Sequence, residues 1–142
     1  MLQAIGIFCE DIREERSGQD TIIGVLPDNL AVRTVPSNLP KLGLYIRIHF
    51  DPTLDPGDIA LWIELPTDHQ LHFGTMDRKI TEKAIRDALA LNQPVAGLIS
   101  KVLINSFQIP THGRIRAVAN INGRDIILAT LNIQATAGTP SS

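Results

Sequence analysis

The sequence predicts a mainly β chain, an antiparallel β-sandwich of about eight strands with one short helix. Three observations carry this. Apolar and polar residues alternate with period two in several stretches, the signature of half-buried strands. Clusters of Pro, Gly, Asn and Asp separate those stretches at close intervals. Only one segment, Ile80 to Leu89, changes to the helical period.

Taken in order, Ala4, Ile5, Ile7 and Phe8 form an apolar strand that stops at a block of charge, Glu10 to Arg16, ending in Ser17-Gly18. Thr21 to Leu26 is a second β-type run, so the charged block reads as the connection between two strands. Asn29 to Val35 is a strand broken by Pro36-Ser37-Asn38-Leu39-Pro40. Leu44 to Phe50 alternates most clearly, with Leu44, Ile46, Ile48 and Phe50 on one face and Tyr45, Arg47 and His49 on the other. Asp51 to Asp58 is a turn set by two prolines and a glycine, and Ile59 to Leu65 follows with Ile59, Leu61, Ile63 and Leu65 apolar against Ala60, Trp62 and Glu64. Gln70 to Thr75 is a further short strand.

Ile80, Ala84, Ile85, Ala88 and Leu89 make one stripe of an amphipathic helix that closes one end or side of the sandwich. Thr81 with Glu82 is the expected start and Asn92-Gln93-Pro94 the expected stop. Leu98 to Ile109 is a long, bent β run ending at Pro110. Arg114 to Asn120 and Ile126 to Ile133 flank Asn122-Gly123, whose residues tolerate the positive φ of a tight hairpin. Ala135 to Ser142 is small and polar, which sets a single domain at residues 1–134 and a tail at 135–142.

The segment Phe8-Cys9-Glu10-Asp11-Ile12-Arg13, a charged gap holding Gly18, then Ile22-Ile23-Gly24-Val25 resembles the start of a small domain family of unknown function from bacteria and their phages. The turn Pro110 to Arg114, a strand, Asn122-Gly123 and another strand are similar to how such domains end. The resemblance implies a β-sandwich and a bacterial or phage setting. It brings no active site with it.

Composition narrows the function. Net charge is −2 and aromatics make up 4%, which argues against nucleic acid, whose binders show basic patches and stacking platforms. The single cysteine, Cys9, excludes an intrachain disulfide. No apolar run approaches the ~18 residues of a membrane span, and Met1 to Phe8 lacks the basic start of a signal peptide. Cytoplasmic synthesis, with or without assembly into a virion, fits these features.

Candidate chemistry is thin. Glu10, Asp11, Glu14 and Glu15 are interleaved with Arg13 and Arg16, as in a solvated charged segment. Asp51, Asp55 and Asp58 share one turn and are the candidate calcium ligands, although two prolines and aspartate's turn preference explain the segment without metal. His69 and His72 fall on opposite faces of a strand, so they form no zinc pair. Cys9, at the end of an apolar strand, reads as a small buried hydrophobe. Glycine-rich nucleotide patterns and nucleophile elbows are absent. No cofactor and no enzymatic activity are expected.

The expected role is therefore a non-enzymatic structural or accessory one, exerted through protein–protein contacts with itself or a larger assembly. A phage virion, with the domain as capsid decoration or tail accessory, is the setting that the resemblance implies. The candidate interface residues are Ala4 and Ile5 on an uncharged first strand, Tyr45, Arg47 and Trp62 as an aromatic patch if their strands pair, and Thr139 and Pro140 in the tail. The rival expectation is a calcium- or glycan-binding module using the acidic turn or Trp62.

Overall fold

In the computed structural model, which describes residues 2–136, two sheets pack face to face. The first holds β1 (Leu2–Glu14), β2 (Asp20–Val25), β4 (Ser37–Phe50) and β7 (Ala96–Ile109), in the order β2-β1-β4-β7. The second holds β3 (Asn29–Val32), β5 (Ile59–Glu64), β6 (Gln70–Met76), β8 (Gly113–Ile121) and β9 (Arg124–Ala135), in the order β3-β9-β8-β5-β6. The sandwich and its single helix are as the alternation predicts. The second sheet is mixed, however, because β3 runs parallel to β9.

The core lies between the sheets and follows the period-two pattern. From β4 it takes Leu42, Leu44, Ile46, Ile48 and Phe50, and from β5 it takes Ile59, Leu61 and Ile63. Ile115, Ala117, Ala119 and Ile121 of β8 complete the facing layer. The connection from β4 to β5 is not a hairpin. Residues 51–58, with Pro52 and Pro56 buried, carry the chain from one sheet to the other.

Helix α1 (Arg78–Ala90) joins the end of β6 to the approach to β7, and Ala84, Ile85 and Ala88 pack onto the core. Its cap is Asp77 rather than the expected Thr81, with the Asp77 carboxylate accepting from the Ile80 N–H at 3.2 Å. Thr81 is instead fully buried, its hydroxyl 3.2 Å from the Gly57 carbonyl and 3.0 Å from that of Arg78. The stop at Asn92 is as expected. Asn92 is left-handed (φ 53°), and the Gln93 N–H returns to the Ala88 carbonyl at 2.8 Å.

Two strands outrun their sequence signals. β1 continues through the charged block to Glu14, because those residues pair with β2 in register (Arg13 with Thr21, Glu14 with Asp20) and keep their charges at the surface. β4 begins at Ser37, ahead of Pro40. Its ladder with β7 pairs Leu39 with Phe107 and Lys41 with Asn105 and skips the proline, and Ser106 opposite it is left-handed (φ 61°). The Asn122-Gly123 hairpin forms as predicted, with φ of 54° and 77°.

Ile46 and Ile63 face each other's sheets fully buried. Truncating either to Ala is expected to cost about 2–5 kcal/mol in urea unfolding. A loss under about 1 kcal/mol, the range of surface changes, would place these side chains on the wrong face.

Candidate functional site

Outward positions of the first sheet form cross-strand rows set by register. Ile5, Arg47 and Ile99 are neighbours across β1, β4 and β7, and Ile7, Tyr45 and Lys101 form the next row. Ile5 and Ile99 are 57% and 49% exposed, flanking an exposed Arg47 and a half-buried Tyr45. Three of the expected interface residues thus share one face. Ile99 was missed, because its place beside Arg47 depends on the strand order and not on any local pattern.

Ala4 and Trp62 sit elsewhere. Ala4 packs inward, on the part of β1 (residues 2–8) that pairs with β4 alone, since β2 joins β1 only from Cys9 on. Trp62 cannot join Tyr45 and Arg47 in one patch, since β4 and β5 lie in different sheets. The indole is 6% exposed, covered by its own strand neighbours. His72 of β6 stacks on it with ring centroids 5.4 Å apart, Val118 of β8 is its cross-strand partner, and its N–H points to Glu64 Oε1 at 3.4 Å. Arg116, on the internal strand β8, donates to Glu64 Oε2 at 2.8 Å. Thr139 and Pro140 lie outside the described residues. Within the stretch expected to be tail, Ala135 pairs with Val32, and the Thr136 N–H donates to the Val32 carbonyl at 2.8 Å.

Beyond Cys9, β1 leaves β4, and the β1–β2 arm turns across the outer face of β4 toward β7. The Lys101 ammonium shows where it arrives, donating to Glu14 Oε1 at 2.8 Å and Asp20 Oδ1 at 2.9 Å. A straight β1 would carry Glu14 several residues past Lys101 along the sheet. These hydrogen bonds, first that to Glu14 and then that to Asp20, hold the ammonium's pKa above the ordinary lysine value. Where the arm departs, a groove of about 540 Å³ opens between Glu10, Asp11 and Arg13 on one side and Leu30, Leu39 and Pro40 on the other. Asp11 lies 3.7 Å from Arg13 and 3.9 Å from Lys41, so the rim's charges face one another.

The arm also encloses Cys9, which has no exposed surface. Burial pushes its thiol pKa up, a backbone hydrogen bond involving Asp11 pulls the other way, and the Asp11 charge adds to the rise. A thiol that is enclosed and held protonated is a poor nucleophile.

In the acidic turn, Asp51 Oδ1 accepts from the Thr53 N–H at 2.9 Å and from its hydroxyl at 2.7 Å, which lowers the Asp51 pKa. Asp55 Oδ1 accepts from the Gly57 N–H at 2.8 Å, and its other oxygen lies 3.7 Å from Arg78. Those two carboxylates hold their own turn together. Among the described residues, no three His, Cys, Asp or Glu side chains gather as a metal ion would need. No helix of the described residues is long and apolar enough to cross a membrane.

A family of unknown function, DUF6941, matches residues 4–134. The chain belongs to that family. The match spans β1 to β9, so the whole sandwich, arm included, is the DUF6941 unit. Neither a curated protein nor a solved structure matches the chain.

Native Cys9 is expected to resist a thiol reagent such as dithionitrobenzoate at pH 8 and to react rapidly once guanidinium unfolds the chain. Fast reaction without denaturant would show that the arm does not cover it.

Proposed function

We propose that this domain is a non-enzymatic structural or accessory protein that works by binding protein through the outer face of its four-stranded sheet. The observation that carries the reading is the row Ile5–Arg47–Ile99, two exposed isoleucines on either side of an arginine, with Tyr45 in the next row. Aliphatic area beside Arg and Tyr is the mixture that supplies binding energy at protein interfaces. The face is built on paired strands, so little backbone freedom is lost when it docks. A repetitive assembly such as a phage particle is the setting in which such a domain would serve, as decoration or accessory.

The enzymatic alternative has little to build on, since the one thiol is enclosed by the β1–β2 arm. The calcium alternative gains nothing from the acidic turn, where Asp51 and Asp55 are engaged by Thr53, Gly57 and Arg78.

Ile5→Glu and Arg47→Glu, introduced singly, are expected to change stability by no more than about 0.5 kcal/mol, as surface substitutions do. Each should weaken partner retention, measured by co-purification from the native source. Unchanged retention in both variants, or an intact protein that stays monomeric at high concentration and retains no partner, would remove this reading.

A further inference from the structure

Besides residues 2–8 of β1 and 124–131 of β9, which pair on one side only and run close to each other, four strands end the two sheets: β2, β3, β6 and β7. Three of them are poor templates for another strand. β2 has six residues and β3 four, and β6 has seven with a register shift where it pairs with β5. β7 has fourteen residues, contains no proline, and carries one charge, Lys101. A lysine on an edge normally repels an incoming strand. Here its ammonium is taken up by Glu14 and Asp20 of the arm, so that protection is spent inside the chain.

Part of β7 is covered and part is open. Helix α1 packs against it, and Ala96 and Leu98 at its start are buried. Ser100, Val102 and Ile104 face the interior yet are only partly buried, while Ile99 and Leu103 on the outer face are exposed. The stretch 99–105 therefore presents apolar side chains on both of its faces. It ends where Ser106 turns left-handed.

We infer that β7 pairs antiparallel with β7 of a second copy of this chain, joining the two four-stranded sheets into one of eight strands around a two-fold axis at Val102. The inference rests on the reading that the domain works by protein contact, and it names the partner and the edge. An open strand edge offers unpaired N–H and C=O groups, and another strand satisfies them best. A second β7 brings the same open length, and a two-fold pairing needs no other surface. Register selects the axis. Centring on Lys101 would crowd two Lys101 side chains, each already bridged to its own Glu14 and Asp20, directly against one another. Centring on Val102 sets each Lys101 against the partner's Leu103, each Ser100 against the partner's Ile104, and Val102 against itself. A pairing of seven residues is small beside the roughly 1,200–2,000 Å² of stable interfaces, so the dimer is concentration-dependent.

Cysteine cross-linking tests this, because the native Cys9 is enclosed. Directly opposite residues in an antiparallel pair have Cα atoms about 4.5–5.5 Å apart, inside the range of about 4.4–6.8 Å that a disulfide spans. The full-length Val102→Cys variant, oxidised at high protein concentration, is expected to run mostly at twice the monomer mass on a non-reducing gel. Ile5→Cys, on the outer face, is expected to stay monomeric under the same conditions. Cross-linking of Ile5→Cys but not of Val102→Cys would overturn the edge pairing while leaving surface contact as the mode of action. Failure of both, with sedimentation showing only monomer, would overturn the edge pairing, and the function would then stand or fall on partners in the native source.

Discussion

The β1–β2 arm depends on the close approach of Cys9 to Gly43. The two residues are cross-strand partners, and a Cβ placed on Gly43 would stand 2.7 Å from the Cys9 sulfur and 3.4 Å from Ile12 Cγ1. No side chain larger than hydrogen fits there without displacement. That gap is what lets β1 leave β4 after Cys9 and lay the β1–β2 arm across the outer face of β4. Three consequences follow: Cys9 becomes a buried, protonated thiol, the arm tip meets Lys101, and the apolar row of Ile5, Arg47 and Ile99 is left uncovered.

Magnitudes decide what holds the arm. The cluster of Lys101 with Glu14 and Asp20 is short-ranged, but the Glu14 side chain is largely in solvent. Exposed ion pairs contribute about 0–1 kcal/mol and weaken with salt. Burial of Cys9 and partial burial of Ile12, together with the β1–β2 ladder, stabilise it more. The ion cluster orients the tip more than it anchors it. Its second effect is on β7, which loses the free lysine that would otherwise guard its edge.

Much of the fold was legible because it is local. The inward row of β4, the hairpin at Asn122-Gly123, the stop at Asn92 and the burial of Cys9 all follow from alternation, turn chemistry or residue type. What was not legible depends on long-range pairing. Pro40 reads as a breaker in isolation, but the β4–β7 ladder simply passes over it. The charged run from Glu10 to Glu14 reads as a loop, yet it is a strand because β2 pairs with it. Thr81 looks like a cap until the packed helix needs its hydroxyl against Gly57, leaving Asp77 to cap. The expected patch of Tyr45 with Trp62 fails because the 51–58 connection changes sheets, while the grouping of Ile5, Tyr45 and Arg47 appears only once β1, β4 and β7 are set side by side.

The Cys9–Gly43 approach is tested most directly by a double-mutant cycle read out in urea unfolding. With free space at the position, Gly43→Ala in a strand would gain roughly 0.5–1 kcal/mol. The crossing arm predicts the reverse, a loss of about 1–3 kcal/mol from overpacking, and a clearly smaller loss when Cys9→Ala has first removed the sulfur. A Gly43→Ala protein as stable as the parent, or a penalty that is the same with and without the Cys9 sulfur, would contradict the account.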